Sequence, residues 1–395
     1  MRIAILGLGV IGTTYAYAFQ KAGHQVEHVL RDSKKNNAPK ELLVDLLDGR
    51  YHSKGENKHD TYEVRVAEAD SEYDFIFLSV RHGFVKEAVE TLRKNNIKGT
   101  LVFFCNFWNT RKEVQEWAGD YDYILAFPTA GGHMREDHLD GVLFDHLMLE
   151  GEQKADISNY ADLTDLLTSA DLKWEVPHDM VEWIWIHMAI NAGVTSTAAR
   201  SGNLENPEQL ALNLMNSSSE LSLAIKAIRE ALKVVEARGV NLKLYKAELL
   251  PYKIPAWIAG KAMKVMFAKN ELTRKIMTLH NDKQDIFYCC QSVYQTGQEL
   301  GVKIPILEVN MKGISILGGF MIQLIVNAFV EKDKTGAVVE VLYASSNHEK
   351  VRAKYEELIA QYPENYLAIY DLPMDTDLNT LDHYPSVWIG KEEFE

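Results

Sequence analysis

The sequence has few cysteines. It contains three, Cys105, Cys289 and Cys290, and none of them has the paired spacing of a zinc site. The adjacent pair would form a strained disulfide, so reduced thiols are the natural interpretation. We therefore expect a protein of a reducing compartment, without a disulfide framework and without a bound metal.

Positive charge is also scarce. Lysine and arginine number 42 against 56 aspartate and glutamate residues, the formal net charge is -14, and the basic residues are dispersed. Sequence-independent binding to nucleic acid or to anionic lipid needs concentrated positive charge. We therefore expect neither nucleic acid nor a membrane as a partner.

Long hydrophobic runs are nearly absent. The run that approaches the length of a membrane span is residues 314–330, and it is interrupted by two glycines, Gln323 and Asn327. We predict a buried or interface helix there. A strand begins at Arg2, so we expect no cleaved signal peptide and a cytoplasmic location.

The glycines that follow the first strand form a motif. The first strand, residues 2–6, runs into glycines spaced G-x-G-x-x-G, and a helix is predicted over residues 11–22. In a dinucleotide site these glycines permit a sharp turn, leave room for a pyrophosphate and let the helix pack closely, while the helix N-terminus faces the phosphates. A purely structural turn is the alternative. We expect this segment to bind the cofactor through Gly7, Leu8, Gly9, Val10, Ile11 and Gly12.

The second strand, predicted over residues 25–30, discriminates between the two nicotinamide dinucleotides. An NAD site usually ends this strand in an acidic residue that binds the ribose, but here Arg31 follows the strand. A guanidinium suits a 2′-phosphate, so we predict NADP, with NAD less favoured. Asp32 lies one residue further and could serve a 2′-hydroxyl, and solvated surface charge is another alternative.

Strand and helix patterns alternate up to residue 172. Apolar strand patterns at residues 74–80, 100–105 and 123–127 are separated by helical patterns, which indicates a doubly wound parallel sheet. Between the second and fourth strands, residues 41–48 are predicted as a short helix and residues 51–59 as a polar loop. A half-buried strand is predicted over residues 62–66, and one or two strands over residues 142–149.

Long helical patterns follow, predicted over residues 180–199, 207–238, 255–268, 285–300 and 310–330. The tail shows strand, helix and strand patterns at residues 337–343, 348–361 and 366–370, which we expect to form a small βαβ appendage. The predicted fold class is therefore α/β. It comprises an N-terminal Rossmann domain over residues 1–172, a mostly helical substrate and dimerisation domain over residues 173–330, and a C-terminal extension over residues 331–395.

Residues 1–310 resemble the ketopantoate reductase (2-dehydropantoate 2-reductase) family. The glycine turn matches that family's cofactor loop, and Arg31 matches its arginine for the 2′-phosphate. Asn106 matches an asparagine beside the nicotinamide and substrate, whereas Arg81 stands where the family usually has lysine. The resemblance implies an NADP-dependent oxidoreductase whose substrate lies in the cleft between the first two domains.

The helical part carries further matches. Asn191 matches an Ile-Asn motif on the family's long active-site helix, and Asp285 would replace the glutamate of a Glu-Ile motif. Residues 299–305 resemble the turn that follows. Because helical domains of related enzymes often associate, the apolar run at residues 314–330 suggests a homodimer contact.

The active-site helix departs from the family pattern. Counting back from Asn191, the family's second asparagine position is His187 and its catalytic lysine position is Trp183, with no lysine between Lys173 and Lys226. In the family that lysine delivers a proton to the developing alkoxide. Ketopantoate is therefore not the expected substrate.

Helical spacing offers a substitute for the lysine. Trp183, His187, Asn191 and Thr195 lie four residues apart and share one helix face. We predict that the His187 imidazole transfers the proton and that Asn191 and Asn106 orient the carbonyl or carboxylate. A core histidine in a site without chemistry is the alternative.

The other candidates have alternatives of their own. Asn106 follows a parallel strand, where open sheets bind ligands, but asparagine also forms turns. Arg81 could receive a cofactor phosphate or an anionic substrate. Asp285 could approach the cofactor ribose or the substrate, or it could cap a solvated helix.

These patterns favour a cytoplasmic NADP-dependent reductase that transfers hydride to a small carbonyl compound, a 2-oxo acid or related ketone. The alternative is a non-catalytic protein that senses the NADPH/NADP ratio or presents its tail to a partner. The missing lysine favours that alternative. No pattern in the sequence names the substrate.

Overall fold

The structure is a computed structural model, and it describes residues 1–35, 37–81, 84–135, 137–200, 206–279, 283–316, 321–330, 337–345 and 348–373. The chain forms two compact units, Met1–Asn310 and Met311–Glu395. The division into three domains at residues 172/173 and 330/331 stays a prediction.

Strands and helices alternate through the first part of the larger unit. In chain order they are β1 (Arg2–Leu6), α1 (Val10–Lys21), β2 (Gln25–Val29), α2 (Asp32–Lys35), β3 (Glu41–Asp48), β4 (Glu56–Glu63), β5 (Glu72–Leu78), α3 (Val85–Lys94), β6 (Lys98–Phe104), α4 (Arg111–Ala118), β7 (Tyr123–Phe127), β8 (Ala130–Arg135), β9 (His138–Leu143), β10 (His146–Leu149), α5 (Glu152–Ala155), α6 (Tyr160–Ser169) and β11 (Lys173–Glu175).

Seven of these strands form one sheet in the order β11-β10-β7-β6-β5-β1-β2. The strands from β7 to β2 are parallel to their neighbours, and β10 runs antiparallel to β7. Helices α1 and α6 pack on one face, and α3 and α4 pack on the other. Both faces are covered, as the continuous apolar strands require, so the predicted Rossmann-type sheet is confirmed.

A second sheet, in the order β4-β3-β9-β8, was not predicted. Residues 41–48, predicted as a helix, form strand β3, and part of the predicted loop at residues 51–59 belongs to strand β4. The helix prediction was wrong because side chains 42, 44 and 46 alternate inward with period two, while Leu43 is 53% exposed.

The rest of the larger unit is helical. Its helices are α7 (Met180–Ala199), α8 (Pro207–Asn216), α9 (Ser218–Ala237), α10 (Lys246–Lys253), α11 (Ala256–Lys269), α12 (Glu271–Leu279), α13 (Lys283–Glu299) and α14 (Pro305–Ile316), which ends beyond the unit boundary. The predicted helix at residues 207–238 is two helices, because Ser217 adopts an extended conformation and its hydroxyl caps α9 by accepting the Glu220 N–H.

The second sheet connects the two parts of the larger unit. On one face Leu42, Val44 and Leu46 join the core cluster that contains α1. On the other face Leu272 of α12 packs with Leu47 and Val142. Helix α12 is therefore held against the part of the chain that carries the Rossmann-type sheet.

The smaller unit contains β12 (Met321–Val330), β13 (Ala337–Ser345), α15 (His348–Gln361) and β14 (Tyr366–Pro373). Its sheet has the order β13-β12-β14 with antiparallel neighbours. The predicted helix at residues 314–330 was wrong, since α14 ends at Ile316 and residues 321–330 form the central strand. Its β-branched residues suit a strand that is paired on both sides.

Within the described part of the chain, no helix combines the length and the apolar character needed to cross a membrane.

Candidate nucleotide and substrate site

The three glycines after β1 are explained by three different physical demands. Gly7 has a φ of +83°, in the left-handed region, and its N–H donates to the Val29 carbonyl at 2.9 Å. A Cβ on Gly12 would lie 2.7 Å from Ile5 Cγ2, so glycine is needed there for the close approach of helix and strand.

Gly9 meets neither of those demands. Its φ is -79°, which any residue adopts, and the nearest atom to an added Cβ would be the Ser79 carbonyl oxygen at 3.9 Å. The protein itself therefore leaves space for a side chain at Gly9. A ligand that approaches the bare backbone accounts for glycine at this position.

The N-terminus of α1 has no internal cap. Gly9 occupies the N-cap position without a side-chain hydrogen bond, and the first turn contains no acidic residue. The first N–H groups of a helix lack carbonyl partners within the helix, and its dipole favours negative charge at this end. The N–H groups of Val10, Ile11 and Gly12 therefore suit a phosphate. Leu8 links the first two glycines and packs at the margin of the core.

His28 supports this turn, and sequence reasoning missed it. Its Nδ1 lies 2.7 Å from the Gly7 carbonyl oxygen and its Nε2 lies 2.7 Å from the Tyr62 hydroxyl. The side chain is fully buried, and burial lowers the pKa of His28 to about 4. A neutral imidazole donates to Gly7 and accepts from Tyr62. A polar residue inside the apolar strand β2 was the available signal.

Arg31 follows β2 at the same edge of the sheet. Its side chain is 61% exposed, and Nη2 lies 3.3 Å from Glu87 Oε1 on α3. The guanidinium can therefore reach an exposed phosphate. The side chain of Asp32, the alternative ribose partner, lies outside the described part of the structure.

Asn106 lies two residues beyond β6, at the carboxyl edge of the sheet. Its Oδ1 is buried and has no hydrogen-bond partner within the described protein. A buried unpaired amide oxygen costs free energy, so this atom suits a donor from a bound ligand. Arg81 follows β5 at the same edge and is exposed.

Asp285 of α13 lies near this edge. Burial raises the pKa of Cys105, the neighbour of Asn106, to about 12, and the Asp285 carboxylate adds to that rise. The Tyr288 hydroxyl of the same helix accepts the Trp108 N–H at 2.8 Å, so α13 contacts the loop after β6. The structure therefore brings Asp285 toward Asn106 although they are far apart in sequence.

The polar face of α7 contains a hydrogen-bonded pair. Asn191 Nδ2 lies 3.0 Å from His187 Nε2, and the Thr195 hydroxyl donates to the Asn191 carbonyl at 2.7 Å. The rings of Trp183 and His187 are stacked at 14°, with centroids 5.2 Å apart. The predicted common face of these four residues is confirmed, and His187 and Asn191 form a single unit.

Phe127 joins this face to the sheet, and sequence reasoning missed its role. It ends β7, and its ring centroid lies 4.4 Å from His187 and 5.3 Å from Trp183. Because β6 and β7 are parallel neighbours, their carboxyl ends lie side by side. The α7 pair therefore lies beside the edge that carries Asn106. Its position at the end of a predicted strand was the only sequence signal for Phe127.

A second aromatic contact fixes α7 to the loop after β6. The Arg238 guanidinium lies 3.5 Å from the Trp185 ring centroid and 4.3 Å from that of Trp108, and it donates to the Trp108 carbonyl at 2.9 Å. Burial lowers the pKa of Arg238 to about 10. Trp185 therefore has a packing role, and the contact of Arg238 with Trp185 and Trp108 positions the loop that contains Asn106.

Among the residues that the structure describes, no group of three or more histidine, cysteine, aspartate or glutamate side chains could hold a metal ion. The segment His280-Asn281-Asp282, which lacks ligand spacing in the sequence, lies outside the described residues.

The fold is of the Rossmann type, and its uncapped glycine turn has the geometry of a dinucleotide-binding turn. Residues 3–140 match the family model described as Ketopantoate reductase PanE/ApbA. The resemblance to ketopantoate reductases is thereby confirmed for this part of the sequence. No curated protein matches the chain.

Solved structures with the same fold cover most of the chain. The 2-dehydropantoate 2-reductase of Geobacter metallireducens GS-15 is 14% identical, with 80% of this chain and 99% of that chain covered and a TM-score of 0.55. The dimeric ketopantoate reductase of Staphylococcus aureus is 14% identical, with 80% of this chain and 99% of that chain covered and a TM-score of 0.53. D-mandelate dehydrogenase, solved with NADH, is 13% identical, with 80% of this chain and 97% of that chain covered and a TM-score of 0.54. The fold is therefore that of ketopantoate reductases and related dehydrogenases.

Proposed function

We propose that the protein is an NADP-dependent oxidoreductase that reduces a 2-oxo acid or related ketone to the hydroxy compound. The observation that carries the proposal is that the His187–Asn191 pair of α7 lies beside the carboxyl edge of the sheet that holds the glycine turn. Ligands of open α/β sheets bind at this edge. The family match over residues 3–140 supports the same chemistry.

The described residues fit a nicotinamide dinucleotide. The glycine turn and the N–H groups of α1 would hold the pyrophosphate, and Arg31 would bind the 2′-phosphate. Arg81 would receive a cofactor phosphate or the substrate carboxylate, and Asp285 would approach the ribose or substrate. When bound, the reduced cofactor supplies the hydride.

Polar side chains would complete the reaction at the substrate oxygen. The amide N–H groups of Asn106 and Asn191 donate to the carbonyl oxygen, and His187 gives a proton to that oxygen as the carbonyl carbon gains hydride, which yields the hydroxyl group. A proton on His187 Nε2 requires the Asn191 amide to turn so that its oxygen accepts. The two residues therefore act together.

Trp183 argues against ketopantoate as substrate. Its ring stacks on His187 at the position of the family's catalytic lysine. The proton donor and the space beside it both differ from the family arrangement. We therefore propose a 2-oxo acid other than ketopantoate.

The protein is also proposed to be a cytoplasmic homodimer. Three free, buried cysteines agree with a reducing compartment. A dimeric reductase with the same fold supports a dimer. The apolar run at residues 314–330 was predicted as a helix that forms the dimer contact. It contains strand β12 instead, so it does not support the homodimer.

A second candidate is a non-catalytic NADP(H) sensor or partner-binding protein. The observation that favours it is that two aromatic rings, those of Trp183 and Phe127, contact the His187 ring while Asn191 engages its Nε2. A histidine held in this way also suits a purely structural role.

The test is fluorescence titration with NADPH and NADH, followed by a screen of 2-oxo acids for loss of nicotinamide absorbance. Gly9→Val should keep the melting temperature of the wild type and weaken NADPH binding at least about a hundredfold, because only a ligand needs that space. Gly12→Val is the contrasting variant, and it should lose both stability and binding because it collides with Ile5.

Each outcome separates the candidates. Turnover of any oxo acid supports the reductase. Tight binding without turnover supports the sensor. If Gly9→Val binds NADPH like the wild type, or if neither nucleotide binds, the proposed cofactor site is wrong.

A further inference from the structure

A cavity extends from Asn191 along α7, away from the His187 ring. It lies between α7, α8, α12 and α13 and has a volume of about 70 Å³. One water molecule needs ~10–15 Å³ of such space, so the cavity has room for roughly five groups of the size of a water molecule or a methylene. The cavity is therefore large enough to receive part of a substrate that is held at Asn191.

Most of the cavity wall is apolar. Apart from Asn191 and Thr195, the described residues that line it have aliphatic, aromatic or proline side chains, among them Val194, Ala198, Leu210, Met277 and Phe287, and none of these described residues is charged. Such a surface favours an apolar group over a hydrated one.

The two polar lining residues lie at one end. Asn191 belongs to the hydrogen-bonded pair with His187, and the Thr195 hydroxyl donates back to the Asn191 carbonyl and lies 3.1 Å from Cys290 Sγ. The Thr195 hydroxyl is therefore already engaged within the protein. The cavity has a polar end at the proposed reaction site and an apolar body beyond it.

We infer that the substrate is a 2-oxo acid with a long or bulky apolar side chain, alkyl or aryl, which occupies this cavity while its oxo group lies at Asn191. This inference rests on the proposed function for the reaction itself. It adds a substrate class, because a short polar oxo acid would leave the apolar body of the cavity empty. An empty apolar cavity loses contacts that a ligand side chain can supply.

The experiment measures binding and turnover along a series of straight-chain acids. Binding of 2-hydroxy acids from three to eight carbons is followed by calorimetry with bound NADP, and the matching 2-oxo acids are assayed with NADPH. Each added methylene should tighten binding about three- to fourfold until the cavity is filled. The kcat/KM values should rise in parallel.

Ala198→Phe is the variant that fills the cavity. It should weaken binding of the eight-carbon acid at least about thirtyfold, leave the three-carbon acid within about twofold, and leave NADPH binding unchanged. Ala237→Phe, on an exposed position of α9, is the matched control and should change nothing. Should Ala198→Phe not fold, Leu210→Ala enlarges the cavity and should move the preference to longer chains.

Binding that is independent of chain length would overturn the inference, as would an unchanged profile in both cavity variants. Length-dependent binding without turnover would keep the apolar site and refute the reductase. Turnover confined to short polar acids would keep the reductase and refute the apolar substrate.

Discussion

The carboxyl edge of the seven-stranded sheet and the polar face of α7 differ in how closely their residues match the expected pattern. The sheet edge matches the pattern of a dinucleotide turn, whereas α7 departs from the pattern that the family resemblance predicts. At the sheet edge, Gly7, Gly9 and Gly12 each satisfy a separate demand of a dinucleotide turn. On α7, Trp183 replaces the lysine that the resemblance predicts, and His187 forms a pair with Asn191.

The difference has a physical basis. A pyrophosphate is recognised by backbone N–H groups, so the turn tolerates little variation in conformation. A proton donor is a single side chain, and several residue types can fulfil that role from one helix face. We therefore expect the cofactor half to be conventional and the substrate half to define what is particular to this protein.

The largest expected effect tests the substrate half. His187→Ala should lower kcat about 10²–10⁴-fold, the usual contribution of general acid catalysis, and leave the NADPH dissociation constant unchanged. Steady-state kinetics and nucleotide titration on the same sample measure both quantities. Added imidazole should restore part of the turnover.

Two results would contradict the assignment of proton transfer to His187 in the substrate half. Equal loss of turnover and NADPH binding would make His187 a structural residue. Full turnover in the variant would assign proton transfer to another group. His52→Ala, on an exposed histidine, is the control for a change of imidazole content and should behave like the wild type.

The next effect tests the cofactor half. Arg31→Ala should weaken NADPH binding roughly ten- to a hundredfold and leave NADH binding unchanged, because a charge-assisted bond to the 2′-phosphate contributes about 1.5–3 kcal/mol. Titration with both nucleotides measures the ratio. Glu87→Gln should tighten NADPH binding by no more than about fivefold, since a surface ion pair contributes ~0.2–1 kcal/mol.

Arg65→Ala is the matched control, because Arg65 forms a comparable exposed ion pair with Glu63. It should leave both dissociation constants unchanged. If Arg31→Ala weakens NADH as much as NADPH, the prediction of NADP over NAD is wrong.

The smallest expected effect is a pH dependence of the free energy of unfolding, caused by His28 behind the glycine turn. The folded-state pKa of His28, about 4, lies below its ordinary value of 6.5. The unfolded chain therefore binds more protons between these values, and stability falls as the pH decreases. Between pH 7 and pH 5.5 the loss from this residue should be about 1 kcal/mol. Urea unfolding at the two pH values measures it.

His28→Gln should be less stable at both pH values, since the bonds to Gly7 and Tyr62 are altered, and it should lose this part of the pH dependence. An unchanged difference between pH 7 and pH 5.5 in the variant would show that another group is responsible.

Local patterns predicted much of the fold. The helix at residues 180–199 and the strand at residues 123–127 have the predicted bounds, because period and capping signals lie within the segments themselves. Residues 41–48 and 314–330 were mispredicted. Their apolar content fits helix and strand alike, and pairing with distant strands decided the outcome.

The sequence by itself determined the glycine spacing of the turn, the basic residue after β2 and the common face of His187 and Asn191. Each of these depends on residues a few positions apart. Only the tertiary structure decided that Phe127 lies against His187 and that His28 lies behind Gly7. It also decided that four helices line an apolar cavity. Those contacts join residues far apart in the chain, and the packing of the whole core selects them.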